Sequence, residues 1–184
     1  MSAFSFVIRD GLQRDIPQCL AIDSAYTTDY VWQMSIQHKS AENHQILFKT
    51  EHLPREMHVT YVKDERRLKL ALTAEQCFLV AIGKEEPTLL GYLVMWQIPA
   101  HRLAIIQDIV VDRDIRRKRI GTRLLNVAKS WSREKTLTRM HLETQTKNYP
   151  AIAFIQNAGF SFCGYNDQYF TNQDIAVFFG QSLR

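Results

Sequence analysis

The chain has 184 residues, 46% of them hydrophobic, and 23 Lys and Arg against 19 Asp and Glu give a formal net charge of +4. That is enough apolar material for a real core within the usual size of one domain, and no apolar run approaches the length of a membrane span. Cys19, Cys77 and Cys163 are odd in number, far apart and without a Cys-x-x-Cys pair, which argues against a disulfide framework or a zinc site and reads as reduced, mostly buried thiols of a cytoplasmic protein. The first residues lack a basic start followed by a long apolar stretch, so no signal peptide is expected.

In chain order, residues 6–9 read as a first strand. Asp15 caps a helix with Pro17 in its first turn, where a missing N–H costs nothing, and Ile16 and Leu20 continue it. The stretch through Trp32 and Met34 reads as the end of that helix or a loop into a second helix over residues 41–48. Periodicity is poor across residues 52–73, where 57–62 could be a strand and 66–72 either type. From Cys77 the pattern sharpens. Residues 78–82 and 90–98 read as hairpin strands, with Gly83 and Pro87 supplying the turn. Residues 103–111 are apolar on both faces and therefore a central strand.

In the following helix Ile120, Leu124, Val127, Ala128 and Trp131 recur at helical spacing and predict one buried stripe. Residues 138–144 read as a strand, 150–157 as a helix stopped at Gly159, and 160–165 and 175–179 as two closing strands. No repeat or linker divides the chain, so residues 1–184 are expected to form a single domain. The element order gives an α/β class, a mixed and mostly antiparallel sheet with helices on both faces.

The strongest chemical signal is the order strand, basic loop, helix over residues 109–125. The first amides of a helix have no partner inside it, and the helix dipole puts partial positive charge there, so a phosphate can rest against them. Gly121 removes a side chain where a ligand would approach the backbone. Arg113, Arg116, Arg117, Lys118, Arg119 and Arg123 add long-range attraction for a polyanion. A Lys/Arg run is also a common solvated surface, and neither of the two better-known glycine-rich phosphate loops can be written here.

A second segment lies downstream, from His141 to Phe160. Together the two resemble the GNAT superfamily of acyl-CoA-dependent N-acetyltransferases. The family's pyrophosphate loop lies over residues 116–121, and its later signature over residues 142–160, with Glu143, Asn148, Ala151, Phe154, Gly159 and Phe160 matching. The tail over residues 160–179 is similar to the streptothricin acetyltransferase branch. The resemblance implies a splayed central strand pair, acetyl-CoA as co-substrate with no metal, an amine acceptor on a small molecule or a protein, no nucleic-acid or membrane partner, and a possible homodimer. It assigns the coenzyme to the main chain of Ile109, Val110 and Val111, to Arg116, Arg117, Lys118, Arg119, Ile120, Gly121 and Thr122, and to Asn148, Ala151 and Phe154.

The same resemblance makes a main-chain N–H near Ile109 or Val110 the donor to the thioester oxygen, a role whose loss typically costs about 10²–10³ in rate. An alkyl amine with a pKa near about 10.4 must lose a proton before it attacks. Glu143 is the first candidate base and Asp108 the second, each with a bland alternative: Glu143 as a loop organiser or cation binder, Asp108 as a paired structural carboxylate in the sheet. Two positions depart from the family pattern. Arg119 replaces the loop's first glycine, so its backbone is expected in a conformation that a Cβ tolerates. Ile155 replaces the tyrosine that protonates the departing thiolate, and Tyr165 or Tyr169 could supply a phenol instead.

The acceptor pocket implied by the resemblance falls over residues 26–73, where Tyr26, Asp29, Tyr30 and Trp32, with Asp23 just before, could receive a cation. The favoured function is transfer of an acetyl group to a primary amine by direct attack on the thioester. The alternatives are an acyl-CoA-binding regulatory module without turnover, and a nucleic-acid binder, which the absence of a docking motif disfavours.

Overall fold

The computed structural model describes residues 5–40 and 43–184, and of residues 38–40, 43 and 44 the backbone alone. Among these the elements run β1 Phe6–Asp10, α1 Ile16–Ala21, β2 Tyr26–Ser40, β3 Asn43–Val59, α2 Glu65–Leu70, β4 Cys77–Gly83, β5 Leu89–Ile98, β6 Leu103–Val111, α3 Ile120–Glu134, β7 Arg139–Gln145, α4 Tyr149–Asn157, β8 Ser161–Asn166 and β9 Ala176–Ser182. Seven strands share one sheet in the order β1-β4-β5-β6-β7-β9-β8, and β2 and β3 form a separate two-stranded ribbon. The β1–β4, β4–β5 and β5–β6 pairs are antiparallel and β6–β7 is parallel. Contacts divide the chain into two compact units: Met1–Ala25 with Thr60–Glu143 and Gly180–Arg184, and Tyr26–Val59 with Thr144–Phe179.

In the first unit, Phe78, Val80, Tyr92, Val94 and Val110 form one buried sheet face under Ile16, Cys19 and Ile22 of the α1 region and Leu68 and Ala71 of the α2 region. Fully burying an aliphatic side chain of this kind contributes about 1.5–3 kcal/mol. The opposite face takes α3, whose Ser132 Oγ lies 3.7 Å from Met95 Sδ. The buried stripe of α3 is Ile120, Leu124, Leu125, Ala128 and Ser132, and Val127 is 36% exposed, contrary to the sequence expectation. The stripe turns by one position because Ser132 can enter the core: its hydroxyl donates to Ala128 O at 2.8 Å. Asp15 precedes α1 as expected but makes no side-chain cap to it. Its carboxylate instead accepts from Arg9 at 2.7 and 2.9 Å and from the Leu12 N–H at 2.8 Å, tying the helix start to β1.

The second unit corrects the sequence reading most. In place of a helix over residues 41–48, residues 45–48 lie in β3, while residues 41 and 42 are outside the described residues. Trp32, Met34 and Ile36 stand opposite Thr50, Phe48 and Ile46, so side chains alternate across the ribbon with a period of two. Between the pairs Thr28↔Met57 and Tyr30↔His52, residues 53–56 face only Asp29. Pro54 falls in that irregularity, where its missing N–H removes no ladder bond. A bare two-stranded ribbon is marginal in water. This one is held by rings: Trp32 lies 5.8 Å from Phe48, 6.0 Å from Phe162 and 5.8 Å from Phe179, and the Trp32 main-chain N–H donates to Thr146 O at 2.9 Å.

Candidate active site

The β6–β7 pairing runs from Leu103↔Arg139 to Ile106↔Leu142 and stops there, although β6 continues to Val111 and β7 to Gln145. The strands therefore part after Ile106. On its other side β6 stays paired with β5, but Val94↔Asp108 is followed by Met95↔Ile106, which leaves Gln107 as an extra, bulged residue. Beyond the bulge the Asp112 N–H donates to Leu90 O at 3.0 Å. Antiparallel ladder bonds alternate, so Val110 bonds toward β5, and Ile109 and Val111 turn their main-chain groups to the side from which β7 has withdrawn. Glycine is required at position 91 opposite them, because a Cβ there would meet Val110 O at 2.6 Å.

The bulge also switches faces. Ile106 pairs with Met95, which reaches α3, whereas Asp108 pairs with Val94, which faces α1 and α2. Glu143 follows Leu142, the partner of Ile106, and so stands on the face that Asp108 shares with α1 and α2. Both candidate carboxylates thus lie on one face at the mouth of the opening. They differ in surroundings. The Asp108 side chain is 2% exposed and paired with the Arg67 guanidinium at 2.9 Å. The Tyr61 hydroxyl donates to the same Oδ1. Burial pushes the Asp108 carboxyl above its ordinary range, while the Tyr61 hydrogen bond and the Arg67 charge oppose that rise. Glu143 is half-buried.

His141, also half-buried, lies two residues before Glu143 and on its face; burial, then the charge of Arg139, lower its pKa, which favours the neutral imidazole at pH 7. Tyr61, Arg67 and His141 carry no local sequence signal for these places.

From Val111 the chain turns through Asp112, whose carboxylate accepts from the Asp114 N–H at 3.1 Å, into the basic loop. Arg116 Nε donates to Val111 O at 3.1 Å, so this arginine fastens the loop to the end of β6. Arg117 and Arg119 have φ of 67° and 63°. At position 119 the arginine adopts the left-handed, glycine-favoured conformation, which a Cβ tolerates at a cost of about 1–2 kcal/mol. Arg119 provides no side-chain cap for α3, whose first internal bond among the described residues is Arg123 N–H to Arg119 O at 3.0 Å. The amides of Ile120, Gly121 and Thr122 therefore stand ahead of the helix ladder at its positive end. Arg117, Lys118, Arg119 and Thr122 are exposed around them. An open strand edge of amide groups followed by an uncapped helix N-terminus fits a ligand that joins amides to a diphosphate.

In the second unit Asn148 is the N-cap of α4, its Oδ1 accepting from the Ala151 N–H at 3.2 Å. Phe154 is half-buried, and Ile155 is 3% exposed in the core. Tyr165 packs on Phe48 at 5.8 Å, and Tyr169 is 46% exposed. Of the residues expected to meet the acceptor, Tyr26 is buried, with a hydroxyl lacking a partner among the described residues. Asp29 and Tyr30 are exposed beside His52, at 3.8 Å and a ring separation of 5.0 Å. Asp23, in the first unit, accepts the Ala25 and Arg113 N–H groups. Cys19 and Cys77 are buried with thiols pushed up to about 12, whereas Cys163 is exposed. Among the described residues no group of three His, Cys, Asp or Glu could hold a metal ion, and no helix is long and apolar enough to cross a membrane.

Comparison with known proteins places this arrangement in a family. Residues 39–160 match the model of the acetyltransferase (GNAT) family, and the chain belongs to it. It is 34% identical over 79 residues to streptothricin acetyltransferase A of Bacillus subtilis (strain 168), a match over 41% of this chain that spans less than half of that relative, 46% of its length. Its fold is that of a nourseothricin acetyltransferase crystal structure, with a TM-score of 0.84 at 20% identity over 97% of this chain and 99% of the other. A protein of Bacillus anthracis str. Ames, assigned as a streptothricin acetyltransferase and solved with acetyl coenzyme A, superposes with a TM-score of 0.79 at 23% identity over the same shares.

Proposed function

We propose that the protein is an acetyl-CoA-dependent N-acetyltransferase that transfers an acetyl group directly to a primary amine, with streptothricin as the first acceptor to test. The observation that carries this reading is the parting of β6 and β7 after Ile106, next to the uncapped start of α3. Acetyl-CoA supplies the acetyl group as an activated thioester. Ile109 and Val111 pair with its amide arm, and the amides of Ile120, Gly121 and Thr122, ringed by Arg117, Lys118 and Arg119, hold its diphosphate. The Ile109 N–H donates to the thioester oxygen, where negative charge grows during transfer. Glu143, at the mouth of the opening, takes the proton of the ammonium group, directly or through a water. Asp108, committed to Arg67 and Tyr61, organises the strand end.

Streptothricin is the acceptor that the names of the relatives carry. Release of free thiol from acetyl-CoA across a panel of amines led by streptothricin tests the reading. Glu143→Gln is expected to lower kcat by about 10²–10⁴ with acetyl-CoA affinity unchanged. Full turnover in that variant removes Glu143 as the base. Acetyl-CoA binding without thiol release on any amine favours the non-catalytic coenzyme-binding module, a reading supported by the burial of Ile155 where the family carries a phenol.

A further inference from the structure

Arg67 and Tyr61 belong to no motif, yet they meet at the point where β6 leaves its neighbour. One guanidinium nitrogen, Arg67 Nη1, lies 2.9 Å from Asp108 Oδ1, 3.3 Å from Gln107 O and 3.2 Å from the Tyr61 hydroxyl. The Tyr61 hydroxyl in turn donates to Asp108 Oδ1. Gln107 is the bulged residue and the first after the β6–β7 pairing stops. Its carbonyl would otherwise be a half-buried acceptor without a ladder partner, which folded chains avoid. We propose that Arg67 and Tyr61 are positioning residues, a clamp that holds the bulged end of β6 in the open form that receives the coenzyme arm. The proposal rests on the coenzyme reading above.

The clamp has a firm base. Leu68, beside Arg67 on α2, is fully buried, and Asp64 caps that helix by accepting from the Arg66 N–H at 2.8 Å. The guanidinium therefore reaches the strand from a fixed helix. It joins a main-chain carbonyl to the carboxylate of the next residue, and Ile109 follows immediately. A rotation of the strand that closed it onto β7 would have to break both bonds and strand a buried carboxylate. The groups facing Asp108 are Tyr61, Arg67 and Asp64 from the α2 side and Tyr92 from β5, so Arg67 is the one cation among them in the described residues.

The test is calorimetric titration of acetyl-CoA into the wild type, Arg67→Gln, Arg67→Lys and Tyr61→Phe across pH, with circular dichroism for each fold. Loss of a buried bond to a charged partner predicts about tenfold weaker binding for Arg67→Gln and a smaller loss for Tyr61→Phe and Arg67→Lys. Without its cation Asp108 protonates more readily, so the acid side of the affinity profile moves to higher pH in Arg67→Gln. A merely structural role would lower the melting temperature and leave that profile in place. Folded variants with wild-type affinity and profile overturn the clamp. Should Arg67→Gln not fold, Tyr61→Phe, which keeps the ring and the cation, decides alone. A wild type that does not bind acetyl-CoA overturns the coenzyme reading and the clamp together.

Discussion

The β6–α3 segment and the β2–β3 ribbon are built on opposite principles. Along the first, the groups that the proposed function gives to the coenzyme belong to the main chain: Ile109 and Val111 on the open side of β6 and the amides ahead of the α3 ladder. Side chains there can vary as long as the backbone keeps its path, which is why an arginine at position 119 is tolerated at φ 63°. The ribbon depends on particular rings, with Trp32 set among Phe48, Phe162 and Phe179.

The largest expected effect separates the two sides of β6. Ile109→Pro removes an N–H that turns to the open side, leaving the β5 ladder intact, and is expected to lower kcat about 10²–10³-fold with a modest change in melting temperature. Val110→Pro removes an N–H that bonds toward β5 and should destabilise the fold itself by about 1–3 kcal/mol. Steady-state kinetics and thermal melts on both variants check this. Equal catalytic loss from the two, or none from Ile109→Pro, would mean that the open-side amide takes no part in transfer.

The ribbon supplies the counterpart. Trp32→Ala removes a half-buried ring from three aromatic contacts and should cost about 2–4 kcal/mol in urea unfolding, with acetyl-CoA affinity within a few-fold of wild type. A collapse of coenzyme affinity in a still-folded Trp32→Ala protein would break the division between the two regions.

What the sequence revealed follows the same division. Residues 103–111 and the basic loop were legible because β-branched and helical periods and a charge run are local signals, and β6 has the expected bounds. The bulge at Gln107 was not, since it exists only against the register of β5. Asp108 could be named as a candidate but not its partners, because Tyr61 and Arg67 lie 47 and 41 residues away. In the ribbon, Trp32, Met34 and Ile36 do alternate with polar residues, a strand signal. The residues after position 40 have a helix-compatible composition, and strand pairing is fixed by a partner that composition does not show.

A smaller effect concerns the anchoring of β1 beneath the site. Arg9 and the Leu12 N–H hold the Asp15 carboxylate below its ordinary value, with the Arg9 hydrogen bond the largest cause. A lowered carboxylate stabilises the fold above its unfolded value, near pH 4, and loses that contribution as pH falls through its folded value. Asp15→Asn should therefore cost about 1–2 kcal/mol at pH 7, discounted for the partly exposed Arg9, and the gap to wild type should narrow below pH 4 in urea titrations. A gap independent of pH would assign the loss to packing.

The smallest effect is the most direct check on main-chain recognition. Arg119→Gly relieves a left-handed arginine, a gain of about 1–2 kcal/mol, and adds unfolded-state entropy worth about 0.5–1 kcal/mol in the other direction. The net change is a stabilisation of about 1 kcal/mol or less. If the helix amides hold the diphosphate, acetyl-CoA affinity should shift only by the loss of one of several surrounding cations, about two- to fivefold and less at high salt. A loss well beyond tenfold that persists in salt would instead make the Arg119 side chain the principal ligand, and the loop would then grip by charge where the family's glycine lets the backbone do it.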